Sequence, residues 1–385
     1  MNSKFIFKLV LFFFLFKFSL FTTPSFSQST SSLLTDKLTC EYIQNPLGID
    51  TKSPRLSWTL TSKERDQVQT SYELIVSDNL NDINHCDAFA RQIIFLQSTA
   101  VEGLFHWDIS DHEALDPTPE AFTAASFYYH PVLGATEFAG ILGKKADSLK
   151  YDRLARQIEN AFTQKYLVPT TGRFDNATQS APLFVLWYEF SPEKNKTFDV
   201  LLEEFARHDW HLSTGIFSTK MMFDVLRENN RNDVAFRVAN QRDYPGWGNM
   251  PANGATTLWK TWKYPESCPS QNHPMFGSIN EWFYRSLPGI NSAAPGFKKI
   301  IIKPQPEKEI TWAKGRYESV YGTITCDWKT TGNDFILKII IPANSTAEIW
   351  LPATQKESIT ESKKAVTASR YENGYAVVNI ETIFV

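Results

Sequence analysis

From Glu120 to Leu287 the apolar residues recur at helical spacing, and no strand-like stretch interrupts them. Tyr151, Leu154, Ala155, Ile158 and Phe162 fall on one helical face, as do Phe217, Met221, Met222 and Val225. Pro169 to Gly172, Ser191-Pro192, Ser213 to Gly215 and Pro245-Gly246 break the span into about seven or eight predicted helices. Helices that follow one another through loops, without strands between them, must cover their apolar stripes with each other. The result is an array of antiparallel hairpins, which can close into an (α/α) toroid.

Strand patterns flank this array. Leu38 to Asp78 carries short apolar runs broken by Pro46-Leu47-Gly48 and Ser53-Pro54, with Tyr72 to Val76 a predicted strand. That stretch is about half of a sandwich domain of ~100 residues. Asn79 to Pro119 shows neither period and is read as irregular connection. After Phe297 the strands return at Lys299 to Ile302, Phe335 to Ile341 and Thr346 to Leu351, and Asn373-Gly374 is a hairpin signal. The expected division is a leader over 1–27, a partial fibronectin-like β module over 28–78, and a connection over 79–119. A partial (α/α) barrel over 120–290 and a C-terminal β-sandwich over 291–385 complete it, so the fold class is mixed and multidomain.

Lys4 and Lys8, the apolar run Leu9 to Leu20, and Ser25 and Ser27 have the order of a secretory signal peptide, which predicts a secreted or periplasmic protein. The run is shorter than the ~20 residues of a membrane span, so no span is expected after its removal. Lysine plus arginine, 39 residues, nearly balances aspartate plus glutamate, 42, which leaves no basic face for nucleic acid. Cys40, Cys86, Cys268 and Cys326 are widely spaced, without the paired rhythm of a metal site, and are read as mostly unpaired.

Three stretches resemble glycoside hydrolase family 78, the α-L-rhamnosidases, in the family's own order. The first joins Pro46-Leu47-Gly48-Ile49-Asp50, Pro54-Arg55-Leu56-Ser57-Trp58 and Gln69-Thr70-Ser71-Tyr72. The second runs from His211-Leu212-Ser213-Thr214-Gly215 through Tyr244 to Gly248 and Gly254-Ala255-Thr256-Thr257-Leu258-Trp259. It ends at Asn272-His273-Pro274-Met275-Phe276-Gly277-Ser278 and Glu281-Trp282. The third comprises Gly289-Ile290 and Gly322 to Trp328. The resemblance implies a six-hairpin glycosidase that removes terminal non-reducing α-L-rhamnose with inversion. It implies a rhamnose-containing glycan or glycoside as partner, and no cofactor; it does not set the oligomeric state.

Inversion needs a carboxylic acid on the leaving oxygen and a carboxylate to deprotonate water, roughly 6.5–9.5 Å apart. The resemblance places the base directly after Gly-Ala-Thr-Thr-Leu-Trp, and Lys260 stands there. A lysine ammonium has no lone pair to accept a proton and repels an oxocarbenium-like sugar. The family's Asp-Cys-Pro-x-Arg-Asp-Glu-Arg type segment, with the general acid, occurs nowhere in the sequence, and the jump falls between Asp78 and Phe122.

Glu266, Glu281 and Asp243 are the nearest substitute carboxylates; a loop glutamate is more often solvated surface, and Glu281 has the place of a packing or capping residue. His273 is implied as a rhamnose-pocket residue, while Trp247 and Trp262 are candidates for sugar stacking weighed below a core role. Trp259 is expected in the barrel wall. His208 and His211 share a helical turn but lack a third ligand, so no metal is expected. The expected function is that of an α-L-rhamnosidase-family chain without turnover. The alternatives are a non-catalytic carbohydrate-binding remnant or a decayed gene product.

Overall fold

The computed structural model describes residues 6–10, 34–40, 55–62, 73–77, 85–174, 178–264, 266–353 and 359–381; for 6–10, 34–38, 40, 73–77 and 85–89 it describes the backbone alone. Most of the expected leader lies outside the described residues, as does the Pro46 to Asp50 motif. Strand β1 (Ile6–Val10) pairs with a later strand, and β2 (Leu34–Cys40) pairs antiparallel with β3 (Leu56–Thr61). β4 (Glu73–Ser77), one residue displaced from the predicted strand, is the partner of β1.

The reading of 79–119 as irregular connection is corrected by helix α1 (His85–Thr99). Ile93 is buried on it, with Leu96 and Ala100 packed against the main core, while Ile94 and Phe95 face outward. The continuous run Ile93-Ile94-Phe95-Leu96 hides the helical period, because half of it is exposed. The helical region therefore begins before the predicted boundary at 120.

Eight more helices follow among the described residues. α2 (Glu120–Ile141) and α3 (Lys145–Tyr166) form the longest hairpin. All five apolar α3 residues predicted on one face are buried, and Phe162 stacks on Phe190 at 4.1 Å between ring centroids. Removing a fully buried ring of this kind costs about 3–5 kcal/mol. The two-residue strands β5 (Leu167–Val168) and β6 (Arg173–Phe174) turn the chain into α4 (Ser180–Trp187) and α5 (Lys194–Arg207). α6 (Ile216–Glu228) and α7 (Asn232–Ala239) make the next hairpin; α8 (Asn249–Ala252) and α9 (Ile279–Arg285) are short and flank a long loop. Together they form one contiguous apolar core, a partial toroid as expected.

The C-terminal region is a sandwich. β7 (Ile290–Ser292), β8 (Lys299–Ile302), β12 (Thr346–Pro352), β16 (Tyr375–Glu381) and β15 (Arg370–Glu372) make a five-stranded sheet in the order β15-β16-β12-β8-β7. β9 (Trp312–Ser319), β10 (Gly322–Thr331) and β11 (Asp334–Ile340) form the opposing antiparallel sheet. β13 (Thr360–Glu361) and β14 (Lys364–Ala365) form a small antiparallel pair. Asn373 and Gly374 close the β15–β16 hairpin with φ of 50° and 80°, the left-handed pair of a type I′ turn. Ile300, Ile302, Ile324, Cys326, Trp328 and Ile349 fill the space between the sheets. Cys268 and Cys326 are free thiols, and burial pushes the Cys326 thiol up to about 12, which keeps it protonated and inert.

The sandwich is fastened to the helices by polar contacts. Trp328 Nε1 donates to the Leu287 carbonyl at 2.7 Å and Asn232 Nδ2 to the Gln305 carbonyl at 2.6 Å, while Asn232 is itself held within the helical domain by Trp282 Nε1, which donates to its Oδ1 at 2.7 Å. Gly289, at φ 76°, runs so close to Lys303 that an added Cβ would lie 2.1 Å from its carbonyl carbon. This explains the glycine of the Gly289-Ile290 motif. Among the described residues no helix is long and apolar enough to cross a membrane.

Candidate functional site

Three segments converge at one rim of the helical domain. The first, around Asp111, is fixed by charge. The Asp111 carboxylate is buried and accepts the N–H groups of Gly215, Phe217 and Ser218 at 2.7, 3.0 and 3.3 Å, ahead of and within the first turn of α6. The hydroxyls of Ser180 and Ser218 also donate to it. A carboxylate at a helix N-terminus meets unsatisfied donors and the positive end of the helix dipole. The backbone then locks: Ile216 N–H donates to the His112 carbonyl at 2.9 Å and Leu115 N–H to that of Ser213 at 2.9 Å. Only glycine fits at 215, where a Cβ would meet the His112 oxygen at 2.3 Å.

The second segment is the loop between α8 and α9. Lys260 N–H donates to the Ser270 carbonyl at 3.0 Å and His273 N–H to that of Leu258 at 2.9 Å, so the loop is folded back on itself. Trp262 Nε1 donates to the Thr214 carbonyl at 2.9 Å, which ties this loop to the third segment, 211–218. Lys260 and Glu113 meet as a result. Lys260 Nζ lies 3.8 Å from Glu113 Oε1, and His112 Nε2 lies 3.7 Å from the same oxygen. Glu113 holds a left-handed backbone, φ 65°, and its side chain is 17% exposed against 27% for Lys260. A half-buried cation and carboxylate thus face one another where the motif resemblance puts the base.

The other predicted residues divide clearly. His273 is half-buried beside this pair's loop, and its Nδ1 accepts the Met275 N–H at 3.2 Å. In the neutral ring the proton then sits on Nε2, which is left as a donor. Trp247 and Trp262 are both buried; the Trp247 indole donates to the Phe276 carbonyl, and Trp262 stacks on Phe276 at 3.8 Å. They occupy the core, the role the sequence weighs above sugar stacking. Trp259 is buried against Tyr264.

The substitute carboxylates are engaged elsewhere. Glu281 binds Lys220 and Arg285 at 2.9 and 2.8 Å; burial would raise its carboxyl, but these two cations hold it below the usual range. Asp243 accepts from His211 Nε2 at 2.8 Å, and this bond lowers its carboxyl. Glu266 is exposed on the loop. His208 Nε2 pairs with Asp116 and His211 Nε2 with Asp243, so the two rings turn to different partners. Among the described residues no group of three or more metal-ligating side chains comes together.

Sequence reasoning missed Asp111 and Glu113. Both lie in the span read as irregular connection, and the only signal was a run of titratable residues, Asp111-His112-Glu113.

A partial toroid of helical hairpins with a β-sandwich behind it, and a charged site on the loop between its last helices, defines the six-hairpin glycosidase class. Residues 85–287 match the bacterial alpha-L-rhamnosidase 6 hairpin glycosidase domain, and 289–366 match the C-terminal domain of bacterial alpha-L-rhamnosidase. Residues 35–101 match an N-terminal immunoglobulin domain, a sandwich like the fibronectin-like module expected from the sequence. This chain belongs to the bacterial α-L-rhamnosidase family.

An alpha-L-rhamnosidase of Streptomyces avermitilis is 32% identical over 276 residues, 69% of this chain and 26% of the relative. One from Formosa agariphila is 28% identical over 293 residues, 71% of this chain and 32% of the relative. The solved Streptomyces avermitilis alpha-L-rhamnosidase, complexed with L-rhamnose, superposes with a TM-score of 0.73 at 29% identity, covering 78% of this chain and 30% of that one. The alpha-L-rhamnosidase of Dictyoglumus thermophilum gives 0.70 at 31%, covering 79% and 36%. The chain therefore spans about a quarter to a third of the length of these relatives.

Proposed function

We propose that this chain is an α-L-rhamnosidase scaffold that does not hydrolyse rhamnosides. The observation that supports this reading is the Lys260 ammonium, at the position implied for the base, 3.8 Å from Glu113 Oε1. An ammonium paired with a carboxylate cannot take a proton from water, and the pairing engages the Glu113 carboxylate beside it. The acidic segment that would carry the general acid is absent from the sequence. Both halves of the inverting pair are thereby missing.

A second reading, binding of terminal rhamnose without turnover, is favoured by His273. Its Nδ1 is fixed by the Met275 N–H, and Nε2 remains a donor for a sugar hydroxyl. Purified protein is to be tested on p-nitrophenyl α-L-rhamnopyranoside beside Lys260→Glu and Glu113→Gln variants. Nitrophenol release at the level of the blank is expected from all three. Turnover by the unmodified chain that falls at least tenfold in Glu113→Gln would overturn the proposal and make Glu113 the base. Calorimetry with L-rhamnose reads the second reading separately: heat lost on His273→Ala supports it, and no heat from the unmodified chain removes it.

A further inference from the structure

The three-stranded sheet of the sandwich has two unlike faces. Ile324, Cys326 and Trp328 of β10 point into the core, so the intervening residues point out. On that outer face the register sets Lys329 between Trp312 and Ile336, and Asp327 between Lys314 and Lys338. These six residues line a shallow depression of about 470 Å³, within the size of small-ligand sites. Trp312 is 62% exposed and Ile336 46%. Three ammonium groups around one carboxylate leave the face with an excess of positive charge.

An indole laid open on a sheet fills no core, and its face is apolar while the ring of lysines around it is not. The C–H face of a pyranose stacks on such a ring, and its hydroxyls and acidic substituents reach the flanking polar groups. Neighbouring strands lie about 4.8 Å apart, so β9 to β11 spans about 10 Å, comparable to two linked sugar rings. We propose that this face binds an anionic oligosaccharide of uronate type. Trp312 stacks on a pyranose ring, Lys314, Lys329 and Lys338 bind ring carboxylates, and Asp327 accepts from a ring hydroxyl. The surface is separate from the Lys260 loop, so it stands whether or not the chain turns over rhamnosides.

The test is calorimetry of the full chain with tetragalacturonate, with cellotetraose as the neutral counterpart, at low and at physiological salt. Tetragalacturonate is expected to bind about tenfold or more tightly than cellotetraose and to weaken with salt. Trp312→Ala should lose about tenfold or more and Trp312→Phe should recover most of it, which separates lost stacking from misfolding. Lys314→Ala with Lys338→Ala should flatten the salt dependence. The proposal is overturned by no binding of tetragalacturonate, by equal binding of cellotetraose, or by undiminished affinity in Trp312→Ala. It is equally overturned if phosphatidylglycerol vesicles displace the sugar, or if Trp312 instead holds a dimer that Trp312→Ala dissolves.

Discussion

At the scale of single residues, Asp111 is the side chain on which the site's frame depends. Its carboxylate satisfies three N–H groups and two hydroxyls at the head of α6. Hydrogen bonds to a charged group contribute about 1.5–3 kcal/mol each, and a buried donor left unpaired costs a comparable amount. Asp111→Asn keeps the shape but puts an amide donor against these donors; a loss of about 2–4 kcal/mol is expected, read as a lower urea midpoint with unchanged slope. An unchanged midpoint would mean that the cap carries no such stability.

The residue scale is also where the sequence was least legible. The Gly254 to Trp259 motif pointed to Lys260 directly, but the residue that faces it, Glu113, is remote in the chain and sits in no recognisable motif. Asp243, Glu266 and Glu281 lie near 260 along the chain, yet each is solvated or committed to another partner. Proximity across a hairpin array is set by loop locking at 213–218, which no local pattern announces.

Between elements, α6 and α9 are joined by charge. Asp224 on α6 lies 2.7 Å from Lys220, 2.9 Å from Arg227 and 2.7 Å from Arg285 on α9. Burial would raise the Asp224 carboxyl, but the lysine and two arginines outweigh it and hold the group below its ordinary value. A carboxyl lowered in the folded state stabilises fully above its unfolded value of about 3.9 and loses that contribution as pH falls through the folded value. Acid should therefore destabilise the protein progressively below about pH 4. Asp224→Asn should lower stability at neutral pH and flatten this acid limb; an acid limb identical to the parent's would refute the assignment. Elements were the most legible scale. α3, α6, and the β15–β16 turn follow directly from periodicity and Asn-Gly chemistry, whereas α1 was hidden by apolar residues on both of its faces.

For the whole molecule, exposed apolar side chains gather on the first three helices. Ile94 and Phe95 of α1, Ile141 of α2 and Leu149 of α3 are between 53% and 80% exposed. A succession of hairpins that stops short of a full ring leaves apolar side chains exposed. Concentration-dependent association and a strong response to a dye for exposed apolar surface are expected, and Phe95→Glu with Ile141→Glu should reduce both. A monomer at high concentration with no dye response would show that these side chains are covered in solution.

The tethers of the Lys260 loop include Lys260 N–H to Ser270, His273 N–H to Leu258, the Thr257 hydroxyl to the Gln271 carbonyl and the Trp262 indole to Thr214. None uses the side chain at 260. The position works as a socket, whose occupant can be exchanged by a single codon without disturbing the frame around it. Chemistry and architecture are thus separable at this position: the group presented at the rim can change while the backbone that carries it stays in place.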